Sequence, residues 1–388
     1  MPRSRRAKSH SISSNNAEPL VNGSMPPPSP PTPARASPVT RRKAPSVSKP
    51  SSSATIPPPK STHAPSHPSA LQFGIAVIIS LVAESAAHSV ASSVGVGDLA
   101  GISKRDVSVF ELGGLLAWRI VLMSIYWFGG FDAIDVASLN TLLQTPIFIL
   151  LHYFYSISTG TLITTCTITI LAPALPFYLL RPVSPPHTGP VLGSGKVTTR
   201  TRNRTIIVDP ITTLATAATA TIIFTATLEL AFVSKLPVFL VLHFRGLRDL
   251  TFAHDVVSTL PTLVMWLAPA GIASTQFLFR PAEGAICSSE TATGPNSIAL
   301  HHSHFEPTTA TFLEHVYHNA WGWYTSRQKE LIGRTITLGA LLLAETVMTI
   351  WGTIEGVEFV GALGYAGVWA AGVALLGIFL DWVGGPSD

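Results

Sequence analysis

At 388 residues, with 47% hydrophobic and 12% charged, the chain is too apolar to be disordered throughout and too poor in charge for an ordinary soluble protein. Its net charge of +4 hides a division. Residues 1–70 hold ten Lys/Arg against one acid, Glu18, a balance of +9; the remainder holds fifteen against twenty, a balance of −5.

Residues 1–70 are dense in Ser and Pro and nearly lack large apolar side chains. Such a segment cannot bury enough surface to offset chain entropy, so it reads as a disordered, basic, cytosolic tail. Beside a membrane it suits anionic lipid, at ~1 kcal/mol per basic residue near the surface. Ser29-Pro30, Thr32-Pro33 and Ser37-Pro38 suit proline-directed kinases, whose phosphates cancel that charge. No aromatic residues interleave the basic ones, so nucleic acid is not an expected partner. The first apolar run begins at Leu71, which argues against an N-terminal signal peptide. The opening MPRSRRAKSHSISS is Arg- and Ser-rich like a mitochondrial presequence but lacks its apolar face. The endoplasmic reticulum or another endomembrane is therefore the expected home, ahead of the mitochondrial inner membrane.

From residue 71 the pattern changes to long apolar runs. A helix crosses a hydrocarbon core of ~30 Å with ~20 residues. Runs of that length lie at 71–94, 109–130, 138–157, 161–180, 211–233, 256–279, 332–352 and 357–382. The expected fold is an all-α polytopic integral membrane bundle of about eight helices, with cytosolic loops 181–210 and 280–331. The third and fourth runs nearly touch and predict a helical hairpin. Residues 236–244 are apolar but too short to span, which suits an interfacial segment or an extension of the fifth helix. Pro146, Pro173, Pro176, Pro261 and Pro269 predict kinks. The Thr-rich fourth and fifth runs can satisfy freed carbonyls or line a polar path. Arg181, Lys196, Arg200, Arg202 and Arg204 place the 181–210 loop on the side of the tail, in the cytosol. The sequon at Asn203 then stays unmodified. Cys166 and Cys287 imply no disulfide framework.

Ionisable groups in the hydrocarbon region cost several kcal/mol and seek partners or cavities. Glu84 and His88 share one helix face, four residues apart. Glu84 and Arg119 each lie about ten residues from the same membrane surface, at ~1.5 Å per residue. They are predicted to pair, with His88 and Glu111 one level nearer the lumen and Glu345 as a rival partner for Arg119. Glu229 and Asp381 lie near helix ends, where the interface can solvate them. Ala362, Ala366, Ala370 and Ala374 recur every four residues and predict a helix-packing face, within the chain or in a homo-oligomer.

The 280–331 loop concentrates histidines: His301, His302 and His304, then His315 and His318. A zinc site needs three or four convergent ligands, and three imidazoles in HHSH point to different sides of any regular element. The repeated histidine boxes of membrane di-iron oxygenases are absent, and no cofactor is implied. Residues 308–330 instead show helical spacing, with Phe312, Val316, Ala320 and Trp323 on one face. An amphipathic helix on the membrane surface explains them without chemistry. His243 and Asp249 stand one residue too far apart for the H-x-x-x-x-D box of glycerolipid acyltransferases.

No complete catalytic motif occurs, which favours a non-catalytic membrane scaffold or organising protein with lipid and membrane-protein partners. A secondary transporter using Glu84, Arg119 and Glu345 is the first rival. A lipid-modifying enzyme using His301–His318 is the second. A polar central cavity favours the transporter, converging histidines the enzyme, and a dry packed bundle the scaffold.

Overall fold

The computed structural model describes residues 70–93, 98–188, 204–250, 256–285 and 310–384. The expectations for the tail, the Asn203 sequon, Cys287 and His301, His302 and His304 lie outside these residues. Among the described residues the chain is helical, with two isolated bridges and no strand. Eight helices are long and apolar enough to cross a membrane, so the chain is a multi-pass membrane bundle.

The first pair of spans is α1 (Ala70–Ser93) and α2 (Val109–Phe128). Then come α3 (Ala133–Ile149), continued by a wider π turn at Leu150–Phe154, and α4 (Thr159–Leu180). A short α5 (Arg204–Val208) leads into α6 (Pro210–Val233), and α7 (Leu236–His243) follows. The sixth span joins α8 (Val256–Ser274), a π segment at Thr275–Phe279 and α9 (Arg280–Glu283). After α10 (Phe312–Tyr317) and its π turn His318–Gly322 come α11 (Ser326–Thr353) and α12 (Phe359–Gly384).

Local chemistry sets the ends. Ser108 and Glu111 form a capping box on α2, and Asp132 caps α3 by accepting from the Asp135 amide. Asp209 caps α6 with Pro210 behind it. Two helices start earlier than the apolar runs predict. α3 begins at 133 rather than 138, and α11 at 326 rather than 332, because a cap at Asp132 and a capping box at Thr325 nucleate them in polar sequence. The same box at Thr325 divides residues 308–330, which do not form one helix. Phe312, Leu313, Tyr317 and Trp323 remain exposed there, as a membrane-surface segment requires.

The centre of the bundle is α3. Its span is 83% buried by the rest of the protein, against 11% for α1, so α3 meets protein all round and α1 meets mostly lipid. The α3–α4 hairpin turns at Ser156, which adopts a left-handed φ of 52°. Thr164, Thr167 and Thr169 on α4 and Thr219, Thr221, Thr225 and Thr227 on α6 donate to carbonyls one turn back. Threonine in these helices is thus mainly back-bonded. Helix α7 is not an extension of α6, and Val238, Val241 and Leu242 remain exposed on it. A turn at Ser234–Lys235 separates it, and it docks on α12, where Gly361 and Gly364 lie against His243, Phe244 and Phe239.

The alanine stripe on α12 holds only in part. Ala362 and Ala366 are fully buried, Ala370 is half-buried and Ala374 is exposed. A four-residue step turns ~400° at 3.6 residues per turn, so the stripe drifts off the contact. Trp369, Val373, Leu376 and Leu380 continue the buried face instead.

The connections group at two ends. The 129–132, 181–188, 280–285 and 323–326 segments meet at the end where α1 begins, called here the amino face. At the opposite face the Glu355 amide donates to Ile102 O, Lys104 to Thr353 O, Arg245 to Gly356 O and Arg248 to Phe154 O. Bridges Ser103–Ile354 and Phe244–Val357 complete that clasp. This grouping agrees with eight alternating crossings.

Candidate functional site: an intramembrane polar chamber

Helices α1 and α2 touch near the amino face, where the Phe73 ring lies 6.2 Å from Trp127 and 5.6 Å from Phe128. Toward the opposite face they part, and long side chains cross the gap. Arg119 Nη2 donates to Glu84 Oε1 at 2.8 Å, so the predicted pair forms. Arg119 Nη1 also stands 3.8 Å from Glu345 Oε1, so the rival is a second partner. Glu345 is 2% exposed and is held from three sides. Trp118 Nε1 donates to its Oε2 at 2.6 Å, while Gln144 Nε2 and Thr349 Oγ1 approach Oε1 at 3.4 Å.

These groups line a chamber of about 360 Å³ between α1, α2, α3, α4 and α11. Glu84, His88, Arg119, Gln144, Glu345, Thr165 and Thr169 face it, beside Leu99, Ile102 and Ile354 of the opposite-face loops. A second cavity of about 590 Å³ shares Ile102 and is lined by Tyr155, Arg245, Arg248 and Glu355. The chamber therefore reaches from the opposite-face loops to mid-membrane, with its charged groups set among largely apolar walls. Glu111, expected beside His88, is not part of it. Its carboxylate closes the α2 capping box and lies 3.4 Å from Lys104 Nζ.

Beyond the Glu84–Arg119 pair, toward the amino face, lies a pinched void of about 10 Å³ lined by Ser80, Tyr126, Asn140 and Pro173. That is about the size of one water. Its polar rim includes the Tyr126 hydroxyl, which donates to Asn140 Oδ1 at 3.3 Å. Further along α3, outside the lining of this void, stand Asp135 and Asp132, both buried; the cluster they anchor is called here the seal.

The seal is a buried ionic network that the sequence reading missed. Asp132 Oδ2 lies 2.8 Å from His187 Nδ1 and accepts from the Ser184 amide and hydroxyl at 2.8 and 2.7 Å. His187 Nε2 lies 3.1 Å from Gln276 O. Both ring nitrogens face acceptors, which needs two N–H groups and so an imidazolium. Burial alone lowers the His187 pKa, but the bond to Asp132 and the charges of Asp135 and Asp132 outweigh it, and the net shift is upward. Burial likewise raises Asp132, but bonds from His187, the Asp135 amide and Ser184 prevail and hold it well below the usual carboxylate range. Arg334 Nη1 donates to Asp135 Oδ1 at 2.7 Å and to Phe277 O at 3.1 Å, and Nε donates to Glu330 at 2.7 Å. The π turn of the sixth span supplies these carbonyls, because a widened turn frees backbone acceptors. The network thereby ties α3, α11, the π segment and the 181–188 segment together. Beside it Arg327 Nε donates to Glu283 at 2.6 Å and Nη2 to Leu380 O at 2.8 Å.

Asp132, Asp135 and His187 also converge closely enough to hold a metal. Each candidate ligand already has a partner, however: both His187 nitrogens face acceptors, and Arg334 occupies Asp135. Ser184, His187 and Asp132 are no hydrolytic triad either, since Ser184 donates to Asp132 and the His187 side chain is fully buried. His315 and His318 belong to no converging ligand group among the described residues. Glu229 is not solvated as expected. It is 9% exposed, with Oε1 unpaired among the described residues.

The missed residues had a signal. Asp132 and Asp135 stand six and three residues before the third apolar run, where the Asp132 cap extends the helix, and Arg334 lies inside the seventh run itself. No family model, no curated protein and no solved structure matches this chain, so the functional reading rests on the chamber itself.

Proposed function

We propose that this protein is a secondary transporter whose substrate enters the Glu84–Arg119–Glu345 chamber. One observation carries the reading: a cavity holding two carboxylates and a guanidinium reaches mid-membrane from one face, and a water-sized void adjoins the same Glu84–Arg119 pair on its far side. A bundle that only organises partners gains nothing from placing two carboxylates and a guanidinium around empty space in hydrocarbon, where each costs several kcal/mol. A substrate path explains both the space and the charges. The seal of Asp132, His187, Asp135 and Arg334 is the gate that alternates with the open side.

On this reading the amino face is cytosolic and the chamber opens to the lumen of an endomembrane, with the endoplasmic reticulum as the proposed site. The basic residues of the tail would then meet anionic lipid of the cytosolic leaflet.

Cysteine accessibility tests the proposal in proteoliposomes, in a Cys166→Ser/Cys287→Ser chain. His88→Cys should react with a membrane-impermeant thiosulfonate from the opposite face. Ser80→Cys should be silent from the amino face until Arg334→Gln opens the seal. A His88→Cys that never reacts, or a Ser80→Cys that stays silent after the seal is broken, sinks the transporter reading and returns the protein to a scaffold.

A further inference from the structure

A second space adjoins the chamber. Between α3, α4 and α8 lies a groove of about 160 Å³, lined mainly by apolar groups, among them Phe148, Ile163, Cys166, Trp266 and Pro269. Ile163 is 47% exposed on its rim. Its lining residues all fall within three spanning helices, with Ile163 one turn inside the start of α4, so the groove opens sideways to hydrocarbon rather than to water. Gln144 is common to both linings. Its amide reaches Glu345 Oε1 at 3.4 Å, so this one side chain touches both the apolar groove and the charged chamber.

The charge of the chamber chooses the head of any molecule that uses both spaces. Glu84 and Glu345 outnumber Arg119, so the balance is −1 with His88 neutral and zero with it protonated. Neither state favours an anion. The groove alone selects nothing, because a chain entering it from the bilayer exchanges one apolar surrounding for another. Selection must come from the head, and Gln144 is the side chain at which a head in the chamber and a chain in the groove would meet.

We infer that the substrate is a single-chain lipid amine, with its ammonium group against Glu84 and Glu345 and its alkyl chain in the α3–α4–α8 groove. This deepens the transporter reading and rests on it. A lipid substrate also explains a lateral opening, which a water-soluble solute would not need.

The probe is dodecylamine carrying a terminal diazirine, compared with the matching diazirine alcohol, in phosphatidylcholine proteoliposomes of the full chain. Photolysis should attach the amine to groove peptides holding Cys166 and Trp266 about tenfold more than the alcohol, the ratio that ~1.4 kcal/mol of head-group preference gives. Glu84→Gln and Glu345→Gln should each bring that ratio toward one while groove labelling persists. Ile163→Trp, a substitution on the lipid-facing rim, should block labelling by both probes without touching the charges. Equal labelling by amine and alcohol in the unmodified chain would overturn the inference, as would a preference unmoved by both carboxylate variants. Neither result touches the accessibility of His88→Cys and Ser80→Cys, so the transporter reading can survive the loss of this one. If the carboxylate variants do not fold, butylamine competition in the unmodified chain decides instead. Displacement of the amine probe but not the alcohol supports a cationic head site, and displacement of neither refutes it.

Discussion

Trp118 Nε1 donates to Glu345 Oε2 at 2.6 Å, which fixes one carboxylate oxygen and turns the other toward Arg119. Glu345 is thus an acceptor held in place before any ion pairing. Arg119 sits between this fixed carboxylate and Glu84, which reaches it from the loosely packed α1. The two halves of the charge cluster are unequal in stiffness, and their variants should differ.

Arg119→Gln leaves two carboxylates facing each other in a poor dielectric. It should destabilise the bundle by about 3 kcal/mol, the scale for removing one partner of a buried pair. Glu84→Gln should cost less, since Arg119 keeps Glu345. The double variant Glu84→Gln/Arg119→Gln should recover part of the loss. Unfolding in mixed detergent micelles reads all three, and strict additivity would show that the pair is not energetically coupled.

The seal should depend on pH in both directions. His187 has a raised pKa in the folded protein, so its contribution is complete below the ordinary histidine value and fades as pH rises through the raised one. Asp132 has a depressed pKa, so its contribution is complete above the ordinary aspartate value and fades as pH falls through the depressed one. Thermal stability in detergent should therefore plateau from mildly acidic to near-neutral pH and fall on either side. His187→Gln should remove the alkaline fall and shrink the acid one, because Asp132 then keeps only the Asp135 amide and Ser184 as donors that hold its pKa down. An alkaline limb that survives this change would assign it to another group.

Alanines on one stripe should respond differently. Ala362→Leu and Ala366→Leu force a side chain into a fully buried contact and should cost about 1–3 kcal/mol. Ala374→Leu points to lipid and should stay within about 0.5 kcal/mol of the parent. Equal effects at all three, measured by thermal unfolding, would mean that Ala374 meets a partner copy.

Gly271 marks the close approach of α8 to α6, where a Cβ would meet Thr221 Oγ1 and the Ala217 carbonyl. Gly271→Ala should destabilise the protein by more than 1 kcal/mol, on the order of an overpacked core. Adding Thr221→Ala should recover only part, because the backbone carbonyl remains. Full recovery would place the whole conflict on the hydroxyl.

By itself the sequence determined the membrane class, eight crossings and the Glu84–Arg119 pair. Each follows from one-dimensional facts: run length against bilayer thickness, and depth counted along a helix. Residue spacing also marked Ala362 and Ala366 as packing positions, but could not show the ~40° drift per step that carries Ala374 out. Tertiary structure decided the rest. Whether Glu345 competes with Glu84 or joins it depends on where α11 lies beside α2. Asp132, His187 and Arg334 are fifty or more residues apart in sequence and meet only because four segments converge on one face. The charges around the chamber were legible in the sequence, but the chamber itself was not. It is a gap between α1 and α2, and a gap exists only once the surrounding helices have found their partners.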